Sequence, residues 1–467
     1  MYVQQLYTSC LSEAAYFISD NGEAAVIDPL RDIDAYLKLA AEQGVKIKYI
    51  FETHFHADFV SGHLELSKAT GAPIVYGPQT EAGFDFRKAE DGEIFTIGNL
   101  KLQAVHTPGH TLESTCYLLH NEGGEPYAIF TGDTLFVGDV GRPDLFSGNL
   151  SKEDLAGFMY ESLQSKIKTL PDHVIVYPAH GPGSSCGKSL GKETFSTIGA
   201  QKATNYALAD MSKEDFIKAV TEGLNTPPSY FPINARINRE GYETMDSLME
   251  QGMKPLSIDE FKQAVKDGAW ILDTRAAETF TGGFIADAIS IGLDGRYAEW
   301  AGSLLPFNQP LVLVTEIGKE AESITRLARV GINKVQGYLD GGIEAWKAAG
   351  EPLDLIIDIE ADELAMDMPF DNRLEVIDVR KPGEYEAGHL KGATNLPLSD
   401  MNDVMNMAMV DTDHNLYVHC AGGYRSVIAC SLLKRQGFHN LRNVLGGWGK
   451  IKEVENMPIV DGVKVKA

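Results

Sequence analysis

Four short segments of this chain each bring His or Asp to the end of an apolar, strand-like run. They read Glu52-Thr53-His54-Phe55-His56-Ala57-Asp58-Phe59, Thr107-Pro108-Gly109-His110-Thr111, Thr131-Gly132-Asp133-Thr134 and Tyr177-Pro178-Ala179-His180-Gly181. The runs that precede them span 47–52, 100–106, 127–131 and 173–177. Short apolar runs that end in polar, turn-forming residues mark buried strands. A fold that gathers such strand ends at one rim, from two packed sheets covered by helices, places all these donors together. Few other arrangements can.

The rest of the first part agrees with that architecture. Residues 2–8, 14–19 and 24–28 read as short strands closed by Asn21-Gly22 and Asp28-Pro29. Residues 33–43 have helical periodicity, with Gly44 as a stop, and 194–251 read as mostly helical and close the domain. The 467 residues leave room for two to four domains, each able to bury a core.

The second part is a duplication. Trp270-Ile271-Leu272-Asp273-Thr274-Arg275 matches Glu375-Val376-Ile377-Asp378-Val379-Arg380. Gly283-Phe284-Ile285-Ala286-Asp287-Ala288 matches Gly388-His389-Leu390-Lys391-Gly392-Ala393, and Gly341-Gly342 matches Gly446-Gly447, all at one offset. Each copy alternates strand-like and helical stretches, the pattern of a small parallel α/β domain. Boundaries are expected near Lys254-Pro255 and Glu351-Pro352, giving domains 1–253, 254–352 and 353–467.

The chemistry of the first domain follows from its donors. His54, His110 and Asp133 offer two imidazoles and one carboxylate, a set that leaves open positions on an octahedral metal. His56, Asp58 and His180 remain for a second metal, which a His after Asp58 would complete. Phe59 stands there instead. It removes a donor and sets a ring against the site, which favours one metal. Donor type alone admits iron or zinc.

The segments THFHADF, TPGHT, TGDTLF and YPAHG resemble the metallo-β-lactamase fold superfamily. Within it they are most similar to the persulfide dioxygenases, in which a Gly-Arg-x-Asp turn follows the TGDTLF-type segment. Here that turn is Gly141-Arg142-Pro143-Asp144. The resemblance implies an α/β fold, the αββα sandwich, with one Fe(II) per dioxygenase domain on His54, His110 and Asp133. It implies oxidation by O2 of a low-molecular-weight persulfide, of glutathione or coenzyme A, to sulfite and thiol. His56, Asp58, Tyr177 and His180 would then surround the site, His56 and Asp58 orienting ligands or a water. Arg142 either orients the substrate or holds Asp144 in a turn. The sibling glyoxalase-II-like thioesterases use two metals and need the His that Phe59 replaces. Directly after His180, Gly181-Pro182-Gly183-Ser184-Ser185-Cys186-Gly187-Lys188 resembles the loop of persulfide dioxygenases fused to rhodanese domains. Cys186 either lines the substrate entry or packs a tight loop.

In the second copy, Leu416-Tyr417-Val418-His419 runs into Cys420 and then Ala421-Gly422-Gly423-Tyr424-Arg425-Ser426, followed by a helical run to Leu433. Backbone N–H groups at such a turn form a nest for an anion. A field of that kind favours the thiolate, the nucleophilic form of cysteine, and Arg425 adds a fixed charge near the rim. With Asp378-Val379-Arg380, Gly388-His389-Leu390 and Gly446-Gly447-Trp448, this resembles the rhodanese family, and implies that Asp378 and Arg380 support the site. The loop between Cys420 and Arg425 is one residue shorter than in related phosphatases, which suits sulfur. Cys430, on the helix, is assigned to packing. In the first copy, ungapped alignment of the loop 316–323 sets Ile317 opposite Cys420 and Glu322 opposite Arg425. With no thiol and no cation there, this copy is expected to be inactive.

The reading is a persulfide dioxygenase joined to a sulfurtransferase that uses O2, sulfite and thiosulfate. Its rivals are a dizinc thioesterase and a sulfur-relay protein with a scaffold metal. A net charge of −25 argues against a basic nucleic-acid surface. Cys10, Cys116, Cys186, Cys420 and Cys430 show no paired spacing, as in a reducing compartment. No basic, apolar leader opens the chain, and no run nears the roughly 18 apolar residues of a membrane span. A cytoplasmic homo-oligomer with no membrane partner is expected.

Overall fold

In the computed structural model, which describes residues 1–145, 150–407, 410–411 and 413–462, the strand Glu13–Asp20 shows why the early apolar runs are continuous. Successive side chains of a strand point to opposite faces. Ala14, Tyr16 and Ile18 enter one core, while Ala15 and Phe17 enter another. Both faces are covered, so both sets are apolar.

The first unit, Met1–Ser247 with Ala328–Gly331, holds two six-stranded sheets. Tyr2–Thr8, Glu13–Asp20, Glu23–Ile27, Lys46–Phe51, Ile74–Tyr76 and Arg87–Lys88 neighbour one another in chain order. So do Ile94–Ile97, Leu100–His106, Thr115–His120, Pro126–Gly132, Ile175–Pro178 and Ser196–Thr197. Tyr16, Phe51, Phe95, Tyr117 and Phe130 fill the space between the sheets. On the outer face of the first sheet, helices Asp34–Gln43 and His63–Thr70 pack through Tyr36, Ala40 and Leu66. On the second, helices Lys152–Ser162 and Lys213–Thr221 pack through Ala156, Met159 and Phe216. This is the expected αββα sandwich.

Local signals set the element ends. Gly44 closes the first helix in the left-handed region at φ 63°, and Ser151 opens Lys152–Ser162 in a capping box with Asp154. Residues 194–251 carry helices Ile198–Thr204, Lys213–Thr221, Phe231–Glu240 and Met245–Gly252 after one short strand, as the periodicity predicts.

The second unit, Leu248–Leu327 with Ile332–Ala467, contains both duplicated copies. The strands Pro255–Leu256, Trp270–Asp273, Ile289–Ser290, Leu311–Val314 and Val335–Leu339 form one sheet, in which the fifth lies between the first and the fourth. Ile357–Ile359, Leu374–Asp378, Thr394–Asn395, Asn415–His419 and Leu441–Val444 repeat that order. All pairings within these two sheets are parallel. Side chains repeat as well. Arg275 donates to Asp273 at 2.6 Å and to the Gly283 carbonyl at 3.0 Å; Arg380 does the same to Asp378 at 2.6 Å and Gly388 at 2.8 Å.

The strand register corrects one expectation. Asp273 pairs with Val314, and Asp378 pairs with His419. The residue after Val314 is Thr315, so Thr315, not Ile317, is the counterpart of Cys420. By the same register Glu320, not Glu322, is the counterpart of Arg425. The single offset that relates the other matches gives the same pairing, so the loop alignment was two residues out of step with the rest of the repeat. Among the described residues no helix is long and apolar enough to cross a membrane.

Candidate metal centre and candidate thiol loop

Each donor of the first unit sits just past a strand end. His54 and Asp58 follow Lys46–Phe51, His110 follows Leu100–His106, Asp133 follows Pro126–Gly132 and His180 follows Ile175–Pro178. Buried strands stop at the rim, so their first loop residues face one another.

Asp133 is the centre of the cluster. Its Oδ2 lies 3.4 Å from His110 Nε2 and 3.8 Å from His54 Nε2; its Oδ1 lies 3.4 Å from His180 Nε2. His54, His110 and Asp133 offer ligand atoms mutually within 4.8 Å. All three are buried, and neither carboxylate oxygen of Asp133 has a hydrogen-bond partner. Leaving a buried acceptor without a donor costs about 1–3 kcal/mol, a cost that a bound cation offsets. Burial, with the neighbouring imidazoles, holds His54 well below the usual imidazole range. Burial also lowers His110 to about 4. Neutral imidazoles are the ligand form.

The unused ring nitrogens are held. His54 Nδ1 meets Thr53 Oγ1 at 3.0 Å, and that threonine is fixed by Asp28 at 2.7 and 2.9 Å. His110 Nδ1 meets the Arg142 carbonyl at 2.8 Å, and His180 Nδ1 meets the Ser12 carbonyl at 3.2 Å. Each Nε2 is thereby aimed inward. Gly141 is obligatory beside them: a Cβ there would fall 2.2 Å from the Asp133 carbonyl and 2.9 Å from His110 Nδ1.

His56 also has acidic neighbours outside the first donor set. Its Nε2 lies 3.2 Å from Asp28 Oδ1 and 3.7 Å from Glu52 Oε2. Burial lowers this imidazole, but the Asp28, Asp58 and Asp133 carboxylates together outweigh it and raise it above its usual value. The fully buried Phe59 ring lies against His56, 4.3 Å between centroids at 32°. His56, Asp58 and His180 still fall within 4.8 Å as a second donor group, and Asp133, His180 and Cys186 form a third. Burial raises Asp58 and Asp133 to about 6 each, and burial with those two carboxylates pushes the Cys186 thiol well up, so it stays protonated.

Two other candidates have different surroundings. The Arg142 guanidinium is spent on a fork to Asp144 at 2.7 and 2.8 Å and on the Asn225 carbonyl at 2.6 Å. The contact with Asp144 is the one that the turn-holding reading expects. The Arg142 backbone N–H donates to the Cys186 carbonyl at 2.9 Å, tying the loop after His180 to the turn that orients His110. Tyr177 stacks on Phe130 at 5.4 Å and lies against the inter-sheet core rather than among the donors. The strand alternates its faces, and His180 rather than Tyr177 emerges at the rim. Asp28 and Glu52 went unnoticed in the sequence. Asp28-Pro29 reads there as a turn, and nothing local shows that Asp28 reaches His56.

In the second copy, the Cys420 Sγ accepts from the Gly423 N–H at 3.1 Å, and the thiol is buried. Gly447, at φ 53°, brings the next helix so close that a Cβ would fall 2.3 Å from the Cys420 carbonyl. Arg425 is forked to Glu384 at 2.7 and 2.9 Å, so its charge is held at the rim of the loop. The Asp378–Arg380 fork recurs in the copy that has no thiol, which marks it as scaffold. Burial pushes the Cys430 thiol up and leaves it a packing group. In the first copy Gly318 N–H and Thr315 Oγ1 both donate to Glu320 Oε1, at 3.1 and 3.3 Å. The chain's own carboxylate fills that nest, and Ile317 points out, 81% exposed.

Comparison with known proteins agrees with these two kinds of site. The metallo-beta-lactamase superfamily model matches residues 9–180, and the rhodanese-like domain model matches 257–349 and 360–453. A probable hydroxyacylglutathione hydrolase of Schizosaccharomyces pombe is 32% identical over 34% of this chain, a match that spans 59% of that relative's length. The mitochondrial persulfide dioxygenase ETHE1 of Bos taurus is 30% identical over 48% of this chain and 82% of its own. A metallo-beta-lactamase structure from Staphylococcus aureus covers 73% of this chain and 98% of its own, at 32% identity and a TM-score of 0.64.

Proposed function

We propose that this chain, which belongs to the metallo-beta-lactamase superfamily and carries two rhodanese-like domains after that fold, is an iron persulfide dioxygenase joined to a sulfurtransferase. In this reading residues 1–253 oxidise the persulfide, 254–352 are an inactive copy and 353–467 transfer sulfur through Cys420. The observation that carries the first activity is the pairing of Phe59 with His56. The ring takes the place of a donor, and His56 Nε2 lies beside the Asp28 and Glu52 carboxylates. In the set His54, His110 and Asp133, the carboxylate has no hydrogen-bond partner and both imidazoles keep Nε2 beside it.

The buried, unpartnered Asp133 carboxylate and the neutral imidazoles fit a divalent metal. His54, His110 and Asp133 would hold it. Bound there, Fe(II) would supply the electrons that ground-state O2 needs and a seat for a soft, anionic sulfur. The chain's own part is to place and dry the site. Thr53, Arg142 and Ser12 aim the imidazoles, Phe59 and Phe136 wall His180, and the Cys186 thiol offers a proton donor rather than a charge. The net reaction is R–S–SH + O2 + H2O giving R–SH and sulfurous acid, which ionises to sulfite. At Cys420, a thiolate takes the outer sulfur of a persulfide, the thiol leaves with the electron pair, and sulfite removes that sulfur as thiosulfate. The test is oxygen uptake by iron-loaded protein given glutathione or coenzyme A persulfide, with sulfite and thiosulfate assayed together. No uptake by protein shown to hold iron would end the dioxygenase reading.

The second donor group, His56, Asp58 and His180, favours one rival: a two-metal thioesterase. It requires two metals per chain and thioester cleavage without O2. Phe59→His is the linked prediction. A donor restored at that point should raise bound metal from one to two per chain under zinc excess, read by metal analysis; a count that stays at one would mean the ring is not what excludes the second ion. For the first rhodanese-like copy, Thr315→Cys in a Cys420→Ser background should show no sulfite release from thiosulfate, because Glu320 keeps the nest filled. Release would show that the missing thiol alone explains its inactivity.

A further inference from the structure

The first rhodanese-like copy has no thiol, yet its loop 292–295 receives a side chain from the reactive loop of the second. Tyr424 stands between Gly423, whose N–H donates to Cys420 Sγ, and Arg425. Its hydroxyl donates to the Gly292 carbonyl at 2.7 Å. Its ring lies on Gly295, where a Cβ would fall 2.3 Å from Tyr424 Cζ. That loop is itself pinned, since Arg326 donates to the carbonyls of Leu293 at 2.6 Å and Gly295 at 3.1 Å. Farther along the helix Tyr424–Arg435, Ser431 Oγ accepts from the Ser290 N–H at 3.0 Å and Arg435 donates to the Asp287 carbonyl at 2.9 Å. The first copy therefore holds this helix near both ends.

A helix N-terminus stabilises a sulfur anion only while its N–H groups stay aimed at it. Gly422 and Gly423 permit close approach but bring no stiffness. Rigidity at that point has to come from the residue that follows them, and the structure gives that residue a seat.

We propose that Tyr424 is a positioning residue for sulfur transfer at Cys420, acting through its seat on Gly292 and Gly295. The thiol-free copy is then a working part of the second copy's site rather than a spacer. The inference rests on the sulfurtransferase reading of Cys420.

The test uses the full chain with thiosulfate as donor and cyanide as acceptor. The Cys420 thiolate attacks the outer sulfur of thiosulfate, the S–S bond breaks, and sulfite leaves with the electron pair. Cyanide then attacks the terminal sulfur of the Cys420 persulfide, giving thiocyanate and restoring the thiolate. The readouts are the rate of the sulfite burst and the split between kcat and KM, with oxygen uptake as an internal control. Tyr424→Phe should lose about fivefold in burst rate and kcat, the worth of one neutral hydrogen bond, with KM for thiosulfate unchanged. Gly295→Ala, which crowds the ring, should lose about tenfold or more. Gly295→Ala with Tyr424→Ala removes the clash but also the seat, so it should still turn over slowly at a temperature where a thermal melt shows it folded. Lowered melting temperatures with parental burst rates and kcat, measured where the variants are folded, would overturn the positioning role. A parent chain that gives neither sulfite burst nor thiocyanate would instead overturn the sulfurtransferase reading, and this proposal with it.

Discussion

Asp133→Ala protein is expected to come through iron loading without iron and to take up no measurable O2 with persulfide, while its sulfur transfer at Cys420 is unchanged. Among the described residues, Asp133 is the side chain whose oxygens lie within 3.4–3.8 Å of three imidazoles. Removing it takes away the only carboxylate of the proposed ligand set. Loss of groups that merely orient ligands costs about 10–100-fold in metal affinity or activity, so loss of a ligand itself should exceed that range. The fold should survive, because the substitution deletes a buried, unpartnered carboxylate whose desolvation already opposes folding. Metal analysis and an oxygen electrode read the first part, and thiosulfate–cyanide transfer reads the second. Iron retained at the parental level would remove Asp133 from the ligand set. Iron lost together with sulfur transfer would point to global unfolding, which a thermal melt separates.

Cys420→Ser should give the complementary result. Sulfite forms from persulfide at the parental rate, but thiosulfate no longer accumulates and thiosulfate–cyanide transfer falls by at least about 1,000-fold, as expected when a covalent nucleophile is removed. Serine is close to isosteric, and the Gly423 N–H that meets Sγ at 3.1 Å can meet Oγ instead, so the loop should keep its shape. Transfer that persists at the parental rate would sink the assignment of Cys420. Of the other four cysteines, three give no easy substitute. Cys116 and Cys430 are fully buried and Cys186 lies between Asp58 and Asp133, a setting that burial and negative charge make unfavourable to a thiolate. The two variants together separate the activities: one loses oxygen chemistry and keeps sulfur transfer, the other does the reverse.

Much of this molecule was legible in the residue order. Strand ends at His54, His110, Asp133 and His180 came from short apolar runs followed by Gly, Pro or Thr, and the structure puts all four imidazole or carboxylate groups at one rim. The two copies announced themselves through Asp273 and Asp378 at one offset, and the sheets repeat their strand order. The Cys420 loop was readable because a thiol, two glycines and an arginine follow a buried strand directly. The counterpart of Cys420 was legible too: the offset shared by the other matches points to Thr315, and the strand pairing agrees, against the loop alignment that set Ile317 there.

The division has a physical cause. Sequence by itself determined which side chains stand at strand ends and loop turns, because burial and backbone propensity act over a few neighbours. It also determined Phe59 in place of a donor, a matter of identity alone. Only the tertiary structure decided which way those side chains turn. His56 faces Asp28, Arg142 is spent on Asp144 and Asn225, Arg425 is forked to Glu384, and Tyr424 is seated on Gly292. Most of these partners lie tens of residues away, and the last more than a hundred. A buried polar group must find a partner wherever packing supplies one, and that choice is made by the assembled fold rather than by the local chain.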